Sequence, residues 1–228
     1  MSLPANRIVP AVLTERPVAL ATMLRQSSTF TDWVQVDIMD GRFVPSRSIS
    51  SGDIAAAGVK IEWEAHLMVC DPEKYLEDLR AAGAKRIVVH YEAVLGGASD
   101  VIENITSMGM GAGLAVNPET PVSALKPGLM KRLDTVLFLS VHPGFYGAKF
   151  IPEVLDKIAL FRQLYPEMTI GIDGGIKFSN VTAAARCGVN EICVGSAVFS
   201  QPDPGDSFRE LTQLANQGWS EYRASVSV

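Results

Sequence analysis

Short apolar runs alternate with amphipathic stretches from one end of the chain to the other. The runs are Ile8–Leu13, Trp33–Met39, Ile61–Met68, Arg86–His90, Gly113–Val116, Thr135–Val141, Thr169–Asp173 and Glu191–Gly195. Each has the length of a strand, and they recur every roughly 20 to 35 residues, the span of one strand-helix unit. Between them lie helical patterns. Asp71-Pro72 opens one, with Tyr75, Leu76 and Leu79 at helical spacing before a stop at Ala82-Gly83. Pro152 to Leu164 carries Val154, Leu155, Ile158 and Phe161 on one stripe, and Ser179 begins a helix that ends at Cys187-Gly188. Eight such units without a break in composition predict an α/β fold, a single (β/α)8 TIM barrel over residues 1–228, with residues 1–3 set aside. An open doubly wound sheet is the alternative. Against it, no G-x-G-x-x-G follows the first run.

A barrel of this kind carries its chemistry at the C-terminal ends of the strands. The second run reads Q-V-D-I-M-D-G over residues 35–41. Alternation sends Gln35, Asp37 and Met39 to one face and Val36 and Ile38 to the other. The third run ends in His66 and Met68, the fourth in His90 and Glu92, and Asn117-Pro118 follows the fifth. His142-Pro143-Gly144 follows the sixth, the seventh ends in Asp173-Gly174-Gly175, and the eighth in Gly195-Ser196. Singly, each has a bland account. Asp37 caps a turn, His66 is a satisfied core histidine, and Asp173 belongs to an ordinary Asp-Gly turn. Turn preferences do not, however, place His and Asp inside the strand pattern at three separate ends. Glycines cluster after the sixth, seventh and eighth runs, where backbone N–H groups of a barrel can converge on a phosphate.

Composition narrows the partners. The 228 residues are 47% hydrophobic with a net charge of -5, which argues against nucleic acid and leaves small anions open. Three cysteines, Cys70, Cys187 and Cys193, show no C-x-x-C spacing and read as reduced thiols of a cytoplasmic protein. No stretch approaches the ~18 apolar residues of a membrane span, and no signal-peptide pattern opens the chain.

Strung together, VDIMDGRFVP (36–45), AHLMVCDPEKYL (65–76), AGA (82–84), VNPETPVSAL (116–125), SVHPGFYGAKFIPEVLDKI (140–158), IDGGI (172–176) and VGSAVF (194–199) resemble the ribulose-phosphate 3-epimerase family. The resemblance runs in order from about Ile8 to Phe199. It implies a ribulose-phosphate-binding barrel that interconverts D-ribulose 5-phosphate and D-xylulose 5-phosphate. It also implies a divalent metal (Zn, Mn, Fe or Mg) held by two histidines and two aspartates, a cytoplasmic location and a homo-oligomer. Carried over by position, Asp37, His66 and Asp173 are metal ligands, and Asp37 and Asp173 are the acid-base pair. Phosphate and substrate fall to Gly144, Phe145, Tyr146, Gly147, Gly174, Gly175, Gly195 and Ser196, with Met39 and Met68 kept. Three positions depart from the family pattern. Gln35 stands where the first metal-binding histidine is expected, Ala11 replaces a substrate-contacting serine, and Leu139 replaces a methionine.

Epimerisation beside a ketone removes a proton from C3 and returns one to the opposite face, work for one ionised and one protonated carboxyl group. Gln35 leaves three arrangements open: an amide oxygen on an oxygen-preferring metal, a three-ligand site, or a hydrogen bond to substrate or Asp37 with no metal. His90 reads as a core histidine, His142 is left unassigned, and Arg42 is either a solvated loop charge or a substrate contact. Two other functions are carried forward. A related lyase would need a lysine at the second strand end, where Met39 stands, and a catalytically weakened phosphate-binding relative would fit the three departures.

Overall fold

The computed structural model of the chain describes residues 5–144 and 148–226. Eight parallel strands close into a barrel in sequence order: β1 (Arg7–Val12), β2 (Trp33–Met39), β3 (Glu62–Met68), β4 (Arg86–His90), β5 (Gly111–Val116), β6 (Thr135–Leu139), β7 (Thr169–Asp173) and β8 (Glu191–Val194). Closure through β1 pairing with β8 excludes the open sheet. The helices around it are α1 (Pro17–Ser27), α2 (Ser51–Ala57), α3 (Leu76–Ala81), α4 (Ala98–Ser107), α5 (Pro127–Met130), α6 (Glu153–Leu164), α7 (Val181–Arg186), α8 (Ser196–Phe199) and α9 (Pro204–Val226). The helix expected from Pro72 begins instead as a 3-10 turn over Pro72–Tyr75 before α3. The helix expected from Ser179 starts at Val181. Among the described residues, no helix is long and apolar enough to cross a membrane.

The strands' two faces have different partners. Val34, Val36 and Ile38 of β2, Ala65 and Leu67 of β3, and Ile170 and Ile172 of β7 are buried against the helices. The opposite parity fills the barrel in three layers. At the N-terminal end, Arg86 donates to Glu64 at 2.6 Å and to Glu191 at 2.5 Å, and Arg7 pairs with Glu191 at 2.6 Å. The Trp33 indole lies under both guanidinium groups, 4.9 Å from Arg7 and 5.3 Å from Arg86. Above this ionic floor sits an apolar layer of Val9, Ala11, Val88, Ala115, Leu137, Leu139 and Cys193. The third layer, at the C-terminal strand ends, is polar again.

Glu64 and Glu191 are buried and share the Arg86 guanidinium as a counter-charge. Removing the arginine strands the buried Glu64 carboxylate and leaves Glu191 with Arg7 alone, which costs more than replacing the whole network by apolar groups. Arg86→Met should therefore destabilise the fold by about 3–5 kcal/mol, read from urea unfolding. Combining it with Glu64→Gln and Glu191→Gln should recover part of that loss.

Candidate active site

The register sets Asp37 beside His66, Leu139 beside Asp173, Asp173 beside Cys193 and Ala11 beside Gln35. These side chains meet at the top of the apolar layer. Gln35 reaches across the barrel: its Nε2 donates to Asp37 Oδ1 and to Asp173 Oδ2, each at 2.9 Å. Its Oε1 accepts from the Cys193 thiol at 3.1 Å, and burial pushes that thiol's pKa up, so it remains S–H. Every hydrogen-bonding capacity of the amide nitrogen is thus spent on the two carboxylates. His66 turns Nδ1 to the same carboxylates, 3.0 Å from Asp37 Oδ1 and 3.3 Å from Asp173 Oδ2. Its other nitrogen, Nε2, lies 2.9 Å from His90 Nε2. Behind His90, Glu92 accepts from the Asn117 backbone N–H at 3.0 Å and from the Thr120 hydroxyl.

The electrostatics follow from two acids in a dry place. Burial first, then the charge of Asp173, raises the Asp37 pKa. Burial alone would lower His66, but hydrogen bonds to Asp173 and Asp37, reinforced by their charges, hold it at about 10. Both shifts have one meaning: at neutral pH the centre keeps a proton among its two carboxyl groups and imidazole. Burial pushes His90 down to about 4. Glu92 resists its own burial through the hydrogen bonds from His90, Thr120 and Asn117, and sits at about 2.

A cation fits where that proton resides. Asp37, His66 and Asp173 offer ligand atoms that all lie within 4.8 Å of one another. One imidazole and two carboxylates form a donor set suited to a first-row divalent ion. Gln35 does not present a ligand atom here, since its nitrogen faces the acids. The hydrogen bond from Gln35 to Asp37, one of the contacts open for it, is present.

The loops above are tied down by short polar contacts. Asp40 accepts from the backbone N–H groups of Arg42, Phe43 and Cys70, each at 2.8 Å, which fixes the turn after β2 and holds its carboxyl below the ordinary range. Ser140 donates to the carbonyls of Asp173 and Gly174, at 3.0 and 2.6 Å, pinning the loop after β7. Gly174 has φ 109°, and an added Cβ would come 2.4 Å from Val141 Cγ2, so a larger residue has no room there.

Most of the expected site residues converge on one cavity of about 190 Å³. Asp37, Met39, Met68 and Asp173 line its depth, and Gly144, Gly174, Gly175, Gly195 and Ser196 line its upper wall. Gln35 and His66 are fully buried beneath it. Phe145, Tyr146 and Gly147 lie outside the described residues. The departures from the family pattern, Ala11 and Leu139, are lining residues too. Arg42 is exposed and pairs with Asp71 at 3.2 Å, and His142 pairs with Glu119 at 2.8 Å on the rim, which assigns neither to the cavity.

Three residues escaped the sequence reading. His90 was expected to be a partnerless core histidine; it is instead in hydrogen-bond contact with His66, and the signal was the His-x-Glu spacing of His90 and Glu92. Cys193 holds the Gln35 oxygen, a contact between strands 158 residues apart that no local pattern announces. Lys177 lines the cavity directly after Gly174-Gly175-Ile176, where a cation beside the glycine pair was open to recognition.

An eight-stranded barrel with acids at the strand ends and a glycine-lined cavity above them defines the class, a (β/α)8 barrel with its site at the C-terminal face. The Ribulose-phosphate 3 epimerase family matches residues 7–199, and the chain belongs to that family. It is an isomerase of the carbohydrate epimerase class. It is 35% identical over 212 residues to the cytoplasmic isoform of ribulose-phosphate 3-epimerase from Oryza sativa subsp. japonica, covering 91% of this chain and 93% of the relative. It is 41% identical over 182 residues to the Synechocystis sp. ribulose-phosphate 3-epimerase, covering 75% and 77%. Among solved structures, 3-hexulose-6-phosphate synthase from Salmonella typhimurium superposes with a TM-score of 0.71 at 17% identity, covering 93% of this chain and 99% of that one, a likeness of fold.

The two histidines shift the pH dependence of stability in opposite directions. The folded His90 value, about 4, lies below the ordinary 6.5, so between these pH values the unfolded chain binds a proton that the folded chain does not. Stability should fall as pH drops from 6.5 to about 4. His66, raised to about 10, contributes fully below 6.5 and loses that contribution as pH rises through about 10. Urea midpoints of metal-free protein, plotted against pH, should decline on both flanks, and His90→Gln should flatten the acid limb.

Proposed function

We propose that this protein interconverts D-ribulose 5-phosphate and D-xylulose 5-phosphate, with Asp37 and Asp173 moving the C3 proton. The observation that carries this reading is the shared cavity: two carboxyl groups from β2 and β7 border it, near enough for one amide nitrogen to bridge them. Asp37, the more deeply buried of the two, has a raised pKa and is the acid that keeps its proton. Asp173 is the base that takes the proton from C3, and the roles exchange in the reverse direction. Met39, Met68 and Val44 form an apolar wall beside them that keeps water from the reacting carbons. Gly174, Gly175, Gly195 and Ser196, with the Lys177 ammonium, grip the phosphate at the opposite wall.

Asp37, His66 and Asp173 would hold a divalent ion, which supplies Lewis-acid stabilisation of the negative oxygen that develops beside C3. Gln35 meets the same charge problem in its own way. Its N–H groups suit two bare acids, whereas a cation between them favours the amide oxygen, which a half-turn of the last torsion would deliver. A centre of one imidazole, two carboxylates and one amide oxygen favours manganese or magnesium over zinc, relative to a two-histidine centre. Gln35→His should therefore tighten Zn²⁺ more than Mn²⁺ in competition with a chelating indicator.

The lyase reading lacks its lysine: Met39 stands at the β2 end, and the lysine lining the cavity, among the described residues, is Lys177 after β7. Incubation with ribulose 5-phosphate in deuterated water, with Mn²⁺, Mg²⁺ or Zn²⁺ or with chelator, tests the proposal. Deuterium should enter at C3, and Asp37→Asn and Asp173→Asn should each slow entry by about 10²–10⁴. Folded protein that exchanges nothing with any of these ions would overturn it and favour a phosphate-binding relative without epimerase activity.

A further inference from the structure

An imidazole that binds a metal presents a lone pair, so its proton must sit on the other nitrogen, and some neighbour must accept it. In His66 the nitrogen facing Asp37 and Asp173 is Nδ1, so Nε2 must carry the proton. Nε2 lies 2.9 Å from His90 Nε2 in a fully buried pair of rings whose planes differ by 21° and whose centroids are 5.1 Å apart, an edge-to-edge arrangement. Two ring nitrogens at that distance share one hydrogen: one donates and the other accepts.

Which of them donates is decided one residue further on. His90 Nδ1 and Glu92 Oε2 are buried, neither makes a hydrogen bond to any other group, and the two lie 3.4 Å apart, at the long end of hydrogen-bond range. A carboxylate accepts and cannot donate, so this pair is satisfied when His90 carries its proton on Nδ1. His90 Nε2 is then bare, and His66 Nε2 has to be the donor. Glu92 is anchored from the far side by the Asn117 N–H and the Thr120 hydroxyl, so it stays an acceptor and each donor in the chain points away from the centre toward it. The reverse order sets a lone pair against the Glu92 carboxylate and puts the His66 proton where an ion would sit.

We propose that Glu92 and His90 are positioning residues: they fix the His66 proton on Nε2 and so keep Nδ1 available to a divalent ion between Asp37 and Asp173. The proposal rests on reading that centre as a metal site. Glu92 touches none of the three ligands, and acts through two imidazoles in series.

The test uses the full chain. Long-range proton-nitrogen NMR of the imidazoles locates the ring protons, and competition with a chelating indicator gives affinities for Mn²⁺ and Zn²⁺. In wild-type protein His90 should carry its proton on Nδ1, and His66 should carry Nε2–H when zinc is bound. His90→Leu, which offers no acceptor, should weaken both ions by about 10–100-fold. His90→Gln should keep most of the affinity, because its amide oxygen accepts from His66 while its nitrogen donates to Glu92. A proton on His90 Nε2 in wild type overturns the proposal without recourse to any variant. Undiminished affinity in His90→Leu, or equal loss in both variants, also overturns it. Wild-type protein that takes up neither ion overturns the metal reading instead, a result that failure of the relay alone would not produce.

Discussion

Two carboxyl groups meet at the buried bottom of the barrel's cavity, and their mutual repulsion sets the terms for everything around them. Asp37 and Asp173 come from strands β2 and β7, so the closed sheet imposes the encounter. A dry interior magnifies the repulsion, and the side chains in contact answer it with positive charge or with N–H groups. Gln35 supplies two donors from one nitrogen, and His66 turns Nδ1 to the same two acids. The proton retained at the centre has the same electrostatic origin as its fitness for a cation.

The barrel solves a second charge problem at its other end. There Arg86 and Arg7 neutralise Glu64 and Glu191, and the Trp33 ring covers the guanidinium groups. The two ends differ in balance. The floor pairs two acids with two bases, whereas the upper layer faces its two acids with one amide and one imidazole that hold a shared proton. An apolar layer separates the ends, so the chemistry above does not disturb the plug below.

Positioning above the strands falls to small polar residues. Ser48 accepts from the Met39 N–H and donates to the Asp37 carbonyl, and Ser140 holds the Asp173-Gly174 carbonyls. Ser46 donates to the Gly144 carbonyl at 2.5 Å and joins the loops after β2 and β6 across the mouth. Each contact fixes backbone, and through it the direction of an acid or of the glycine loops that line the cavity.

The eight runs, their spacing, and the residues at their ends were legible in the chain, because a strand's two-residue period and a barrel's active end are local rules. Asp37, His66 and Asp173 were visible on that account. The hydrogen bonds of Gln35 to Asp173 and Cys193 were not, since they join residues 138 and 158 positions apart. Nor was the role of His90, whose contact with His66 depends on ring orientation across adjacent strands. Sequence determined which chemical groups stand at the strand ends. Tertiary structure decided which atom of each faces which, because donor, acceptor and proton are set by distances of about 3 Å between segments far apart in the chain.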